Sequence, residues 1–147
     1  MAAIRRADAV WHGDLLSGSG TVSAATSRAF TGLPVTWGSR TEAADGRTSP
    51  EELVAAAHAA CFSMAFSAGL GRAGTPPTRL EVSATVTFDK AEAGWRVASS
   101  ALTVRGVVPG ITAERFRELA EAAKDGCPIS QALKGNVELS VEATLES

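Results

Sequence analysis

The chain has 147 residues, 45% of them hydrophobic and 20% charged, with a formal net charge of −2. That length fits one domain, 1–147, better than two, with enough chain for a sizeable core and further surface to gain by burial in a partner. The Lys and Arg residues are scattered and form no cluster that would grip phosphates, so nucleic acid is not an expected partner.

The opening MAAIRRADAVWHGD carries two arginines without a following apolar run, so it does not read as a signal peptide, and a cytoplasmic protein is expected. Strand-like pieces broken by glycine follow, Ala7 to Leu15 and then Gly20 to Ala25 after the turn Ser17-Gly18-Ser19. Asp45-Gly46 marks another turn. Thr48-Ser49-Pro50-Glu51-Glu52 is a helix start: Ser49 caps, Pro50 suits the first helical position, and the glutamates favour the positive end of the dipole. This helix is expected to run to about Leu70, closed by Gly69, Gly71 and Gly74, with Pro76-Pro77 preventing continuation. Its 18 residues from Leu53 to Leu70 hold no charge, a length that would span a membrane. Seven of them are alanine, His58 sits inside, and two glutamates adjoin the start, which favours a buried helix in a soluble protein over a membrane span.

Two β-prone runs come next, Glu81 to Phe88 with strict alternation and Trp95 to Val108, before Pro109-Gly110 turns the chain. Thr112 caps a second helix through Lys124, with Phe116, Leu119, Ala120 and Ala123 on one face. Gly126 ends it, Cys127-Pro128 opens a short third helix to Lys134, and Val137 to Leu145 is a final strand. The order β-β-α-β-β-α-α-β argues for an α+β fold.

The two cysteines lie 66 positions apart in a chain without signs of secretion, where disulfides are usually catalytic or transient. Cys61, inside AAAHAACFSMAF, reads either as a small apolar core residue or as a reactive thiol. A thiol of pKa about 8.5 is mostly protonated at neutral pH, so reactivity there needs a cation brought from elsewhere, because no Lys or Arg lies within one turn. Cys127 follows glycine and precedes Pro128, at an expected helix N-cap whose free N–H groups would stabilise a thiolate, although Gly-Cys-Pro also serves as a plain helix junction.

The runs WHGDLLSGSGTVS, SPEELVAAAHAACFSMAFSAGL and KDGCPISQALKGNVELSVEATL together resemble the OsmC/Ohr superfamily of peroxidases, the osmotically inducible protein C and organic hydroperoxide resistance proteins. The resemblance covers nearly the whole chain in order. It implies an α+β, OsmC-like fold with antiparallel sheets around a long central helix, and two chains intertwined as a homodimer. It also implies hydroperoxide reduction in stress defence without metal, haem or flavin, with an external dithiol, of lipoyl type, as reductant. The family's peroxidatic cysteine matches Cys61 in AACFS, its resolving cysteine Cys127 in GCPIS, and its glutamate Glu51 directly after Pro50. The arginine falls in VTWGSRTEA as Arg40 if the chain follows the OsmC branch, which His58 and the Pro-Ile-Ser-Gln after Cys127 favour, with Arg28 and Arg47 as neighbouring alternatives. Phe62, Met64, Phe66 and Leu53 are candidates for an alkyl pocket, though most of them are expected to be ordinary core.

Glu51 and Cys61 are ten residues apart on one helix, so their backbones lie roughly 15 Å apart along its axis. An arginine bridging both within one chain would be stretched, and either the partner's site receives Glu51 or the helix bends. Two rival functions remain: a metal-binding module in which His58 and Cys61, three apart, join Cys127 and His12, and a non-enzymatic ligand-binding dimer.

Overall fold

The computed structural model describes all of Met1–Ser147. In chain order it contains β1 (Ala7–His12), β2 (Ser19–Ala24), β3 (Leu33–Val35), α1 (Trp37–Thr41), α2 (Pro50–Arg72), β4 (Arg79–Ala91), β5 (Gly94–Val107), α3 (Ala113–Gly126), α4 (Pro128–Leu133) and β6 (Glu138–Leu145). The chain divides into two compact units, Met1–Leu53 and Val54–Ser147.

The first unit is a three-stranded antiparallel sheet in the order β1-β2-β3, in which Ala7 faces Ala24 and His12 faces Ser19. Gly20 is needed there, because a Cβ would meet the Trp11 ring and the Val10 carbonyl oxygen at 2.7 Å. Every residue of β1 is exposed. Two elements of this unit were not expected from the sequence, β3 and α1. Three residues with a central proline show no alternation, and five residues show no helical period. Local capping makes α1 instead: Thr36 Oγ1 accepts from the Ser39 N–H at 3.0 Å, and Ser39 Oγ accepts from the Thr36 N–H at 3.0 Å. Arg40, expected in a loop, therefore sits on a helical turn. Asp45 and Gly46 both take positive φ in the turn that follows, closed by the Arg47 N–H donating to the Ala44 carbonyl at 2.9 Å. Ser49 caps α2 as expected, accepting from the Glu52 N–H at 3.1 Å.

The second unit holds a sheet in the order β4-β5-β6. The alternation read from Glu81 to Phe88 is real and longer, and β4 pairs antiparallel with β5 from Arg79↔Val107 to Ala91↔Gly94, with a bulge at Thr87/Phe88. The expectation of antiparallel sheets needs one correction: β6 joins β5 in parallel, from Ser99↔Glu138 to Gly106↔Leu145. The connection from β5 to β6 carries α3 and α4, which is the crossover that a parallel pair requires.

One sheet face is apolar. Leu102 and Val104 of β5 are buried in one core with Phe62, Phe66 and Leu70 of α2 and Phe116 and Ala120 of α3. The rings of Phe62, Phe66 and Phe116 follow one another at 5.5 and 4.9 Å, an arrangement worth about 0.5–1.5 kcal/mol per pair beyond the buried area. Gly106 makes room for it, since a Cβ there would lie 2.6 Å from the Phe116 ring. By length and composition α2 is apolar enough to cross a membrane. Its His58, Phe62, Phe66 and Leu70, at i, i+4, i+8 and i+12, are instead fully buried in this protein core.

Candidate active site

Sulfur is concentrated in the second unit. The buried stripe His58–Phe62–Phe66–Leu70 leaves Cys61 on its border, half-buried, one turn beyond His58. Cys127 is fully buried and stands between α3 and α4, its N–H donating to the Ala123 carbonyl at 2.9 Å. Both cysteines are free thiols, and their side chains are hydrogen-bonded to each other. The Ile129 backbone N–H, in the first turn of α4, donates to the Cys61 sulfur. This differs from the expectation that the helix start would serve Cys127: Cys127 is the N-cap, but its side chain makes no capping bond, and the free N–H is spent on Cys61.

Burial raises the Cys61 thiol above its ordinary pKa first, and the Cys127 side chain raises it further, against the opposing bond from Ile129. No cation is among these causes. The second unit thus brings the two thiols together while holding the Cys61 thiol toward its protonated form.

The first unit holds the Arg40–Glu51 ion pair. Arg40 Nε donates to Glu51 Oε1 at 2.9 Å and Oε2 at 3.1 Å, and Nη2 donates to Oε2 at 2.9 Å, a fork-on-fork pair. Glu51 is buried, in the first turn of α2, where a carboxylate also meets the positive helix end. Arg40 remains 31% exposed in its side chain and lies over the Trp37 ring, 5.8 Å from its centroid. The alternatives are differently placed: Arg28 is exposed at φ 58, and Arg47 pairs with Asp45 at 3.4 Å on the surface.

A buried polar cluster escaped the sequence. His58 Nδ1 lies 2.6 Å from Ser100 Oγ on β5, and His58 Nε2 lies 2.7 Å from Ser130 Oγ on α4. All three side chains are fully buried, and burial lowers the His58 pKa, so the imidazole is held toward its neutral form. The signal existed in the strand period, because Ser100 is in phase with the inward Leu102 and Val104. Both ring nitrogens face hydroxyls, and no group of three or more His, Cys, Asp or Glu side chains has the arrangement of a metal site. His12, the remaining ligand of the metal-module reading, is exposed on β1.

Residues 43–142 match the family model described as OsmC-like protein. The chain belongs to the OsmC-like family. It is 44% identical over 138 residues to peroxiredoxin OsmC of Escherichia coli, covering 94% of this chain and 95% of that one. It is 34% identical over 97 residues, 65% of this chain and 66% of the relative, to organic hydroperoxide resistance protein OhrA of Bacillus subtilis. In structure it is similar to an organic hydroperoxide resistance protein from Elizabethkingia anophelis, with a TM-score of 0.77, 26% identity, and 99% of this chain and 100% of that one covered. The OsmC-like fold is the α+β arrangement described above, with α2 as its central helix. The candidates for an alkyl pocket separate within it: Phe62 and Phe66 are closed core, whereas Met64 is 70% exposed and Leu53 is intermediate.

Proposed function

We propose that this chain is a thiol peroxidase that reduces organic hydroperoxides, with hydrogen peroxide as a second candidate substrate, in cytoplasmic defence against oxidative and osmotic stress. The observation that carries this reading is the side-chain hydrogen bond between the free Cys61 and Cys127 thiols in a chain 44% identical to a named peroxiredoxin. The whole of 1–147 acts as one OsmC-like domain and works as an intertwined homodimer. Two uncovered apolar surfaces support the dimer: Val10 and Trp11 on β1, and the α2 face bearing Ala56, Ala57, Ala60 and Met64.

Cys61 is the nucleophile. Its thiolate attacks the terminal peroxide oxygen, an S–O bond forms and the O–O bond breaks. The leaving alkoxide or hydroxide takes a proton and departs as alcohol or water, and Cys61 is left as sulfenic acid, oxidised by two electrons. The Cys127 sulfur then attacks the sulfenic sulfur, and the hydroxyl leaves as water with the Cys127 proton. An external dithiol, of lipoyl type, returns both thiols and is itself oxidised to a disulfide. No metal, haem or flavin takes part.

Arg40 supplies the cation that Cys61 lacks, and Glu51 holds the guanidinium in place. Glu51 and Cys61 stand ten residues apart on α2, roughly 15 Å along the axis, which favours service of the partner's Cys61 in the dimer.

The test is to mix reduced protein with one equivalent of cumene hydroperoxide and follow free thiols and intact mass. Loss of both thiols with a two-hydrogen mass decrease within seconds is expected. Thiols that persist for many minutes would overturn the peroxidase reading.

A further inference from the structure

Resting on the peroxidase reading, we propose that His58 is a positioning residue for disulfide closure: its bond to Ser130 holds Cys127 in register with Cys61.

Two parallel rungs connect α2 to the start of α4. One is the thiol contact between Cys61 and Cys127. The other is the 2.7 Å bond between His58 Nε2 and Ser130 Oγ. His58 precedes Cys61 by three residues and Ser130 follows Cys127 by three, so each rung starts one helical turn from the other. The opposite ring nitrogen is anchored to β5 through Ser100 at 2.6 Å, which fixes the plane of the imidazole.

α4 needs such an anchor. It has six residues, too few to hold its shape or place by helical hydrogen bonding alone, and Cys127 lends it no side-chain cap. Loss of the His58 rung would leave a buried Ser130 hydroxyl unpaired. A disulfide tolerates only a narrow range of Cα separation and torsion, so a small drift of α4 removes the attack geometry. The proposed role concerns one balanced step: the Cys127 sulfur bonds to the Cys61 sulfenic sulfur, the S–O bond breaks, and the hydroxyl leaves as water with the Cys127 proton. If closure is slow, the sulfenic acid meets a second peroxide and becomes sulfinic acid.

Side-chain shape separates positioning from general structure. The amide end of glutamine reaches the place of Nε2 and that of asparagine the place of Nδ1, so His58→Gln keeps the bond to Ser130 and His58→Asn keeps only the bond to Ser100. Single-turnover rapid mixing with cumene hydroperoxide resolves a peroxide-dependent phase and a peroxide-independent closure phase. Closure should slow about 10-fold in His58→Asn and Ser130→Ala, with more sulfinic acid by intact mass, and should recover in His58→Gln. Equal slowing in His58→Gln and His58→Asn, or slowing of the peroxide-dependent phase instead, would overturn the proposal. Equilibration with reduced and oxidised dithiothreitol reports the same geometry without peroxide. The equilibrium constant for the Cys61–Cys127 disulfide should fall about 10-fold in His58→Asn and Ser130→Ala. A wild type that ignores peroxide but forms this disulfide in a His58-dependent way would remove the peroxidase reading alone. A disulfide equilibrium unchanged in both variants would remove the role of His58.

Discussion

The two units of this protein carry different groups. The first holds the Arg40–Glu51 fork and little core, with a sheet whose β1 strand is exposed along its length. The second holds sulfur and most of the core: two thiols in contact, a neutral histidine between serines, and the phenylalanine cluster. Burial sets the state of the thiol. The surroundings that bring Cys61 and Cys127 together also push the Cys61 pKa upward, and no cation is among the groups that shift it.

The strongest way to break this comparison is to remove the proposed nucleophile. Cys61→Ser should lower hydroperoxide turnover by at least about 1,000-fold, to the uncatalysed background, in a peroxide-consumption assay. Turnover that survives would place the chemistry elsewhere. Cys127→Ser should leave the first oxidation intact and stop the cycle after one equivalent of peroxide. Intact mass should then show one added oxygen followed by a second, because nothing intercepts the sulfenic acid.

Removing the charge should act on the first step alone. Arg40→Ala should slow the peroxide-dependent phase about 100-fold, with Arg40→Lys recovering only part, since an ammonium cannot replace the planar fork on Glu51. The sign of the pH effect follows from the thiol. A raised pKa leaves Cys61 protonated at neutral pH, so the residual rate of Arg40→Ala should climb as pH rises toward that pKa. A pH profile that Arg40→Ala leaves unmoved would separate Arg40 from the thiolate.

The smallest effect concerns stability. Burial holds His58 below its ordinary pKa of 6.5, so the folded chain keeps a neutral imidazole while the unfolded chain protonates it near that value. The contribution is present above the unfolded pKa and is lost as pH falls through it toward the lower folded value. The melting-temperature gap between wild type and His58→Gln should therefore narrow from neutral into mildly acid solution.

Much of this was legible in the residues. Ser49-Pro50-Glu51-Glu52 starts α2, the alternation after Glu81 makes β4, and Thr112 caps α3 through a 3.1 Å bond from the Arg115 N–H, because each signal is local and physical. The motifs around Cys61 and Cys127 pointed to the family that the comparisons then identified. β3 and α1 were illegible because three and five residues carry no period.

Local patterns and motif resemblance thus determined the helix and strand types, the family and the candidate cysteines, since periodicity and capping need only neighbours along the chain. The parallel seating of β6, the Arg40–Glu51 fork, the hydrogen bond from Ile129 to Cys61 and the His58–Ser130 rung were decided by the tertiary structure. Each depends on groups that are separated in sequence or oriented by a turn, and distances of that kind are set by packing.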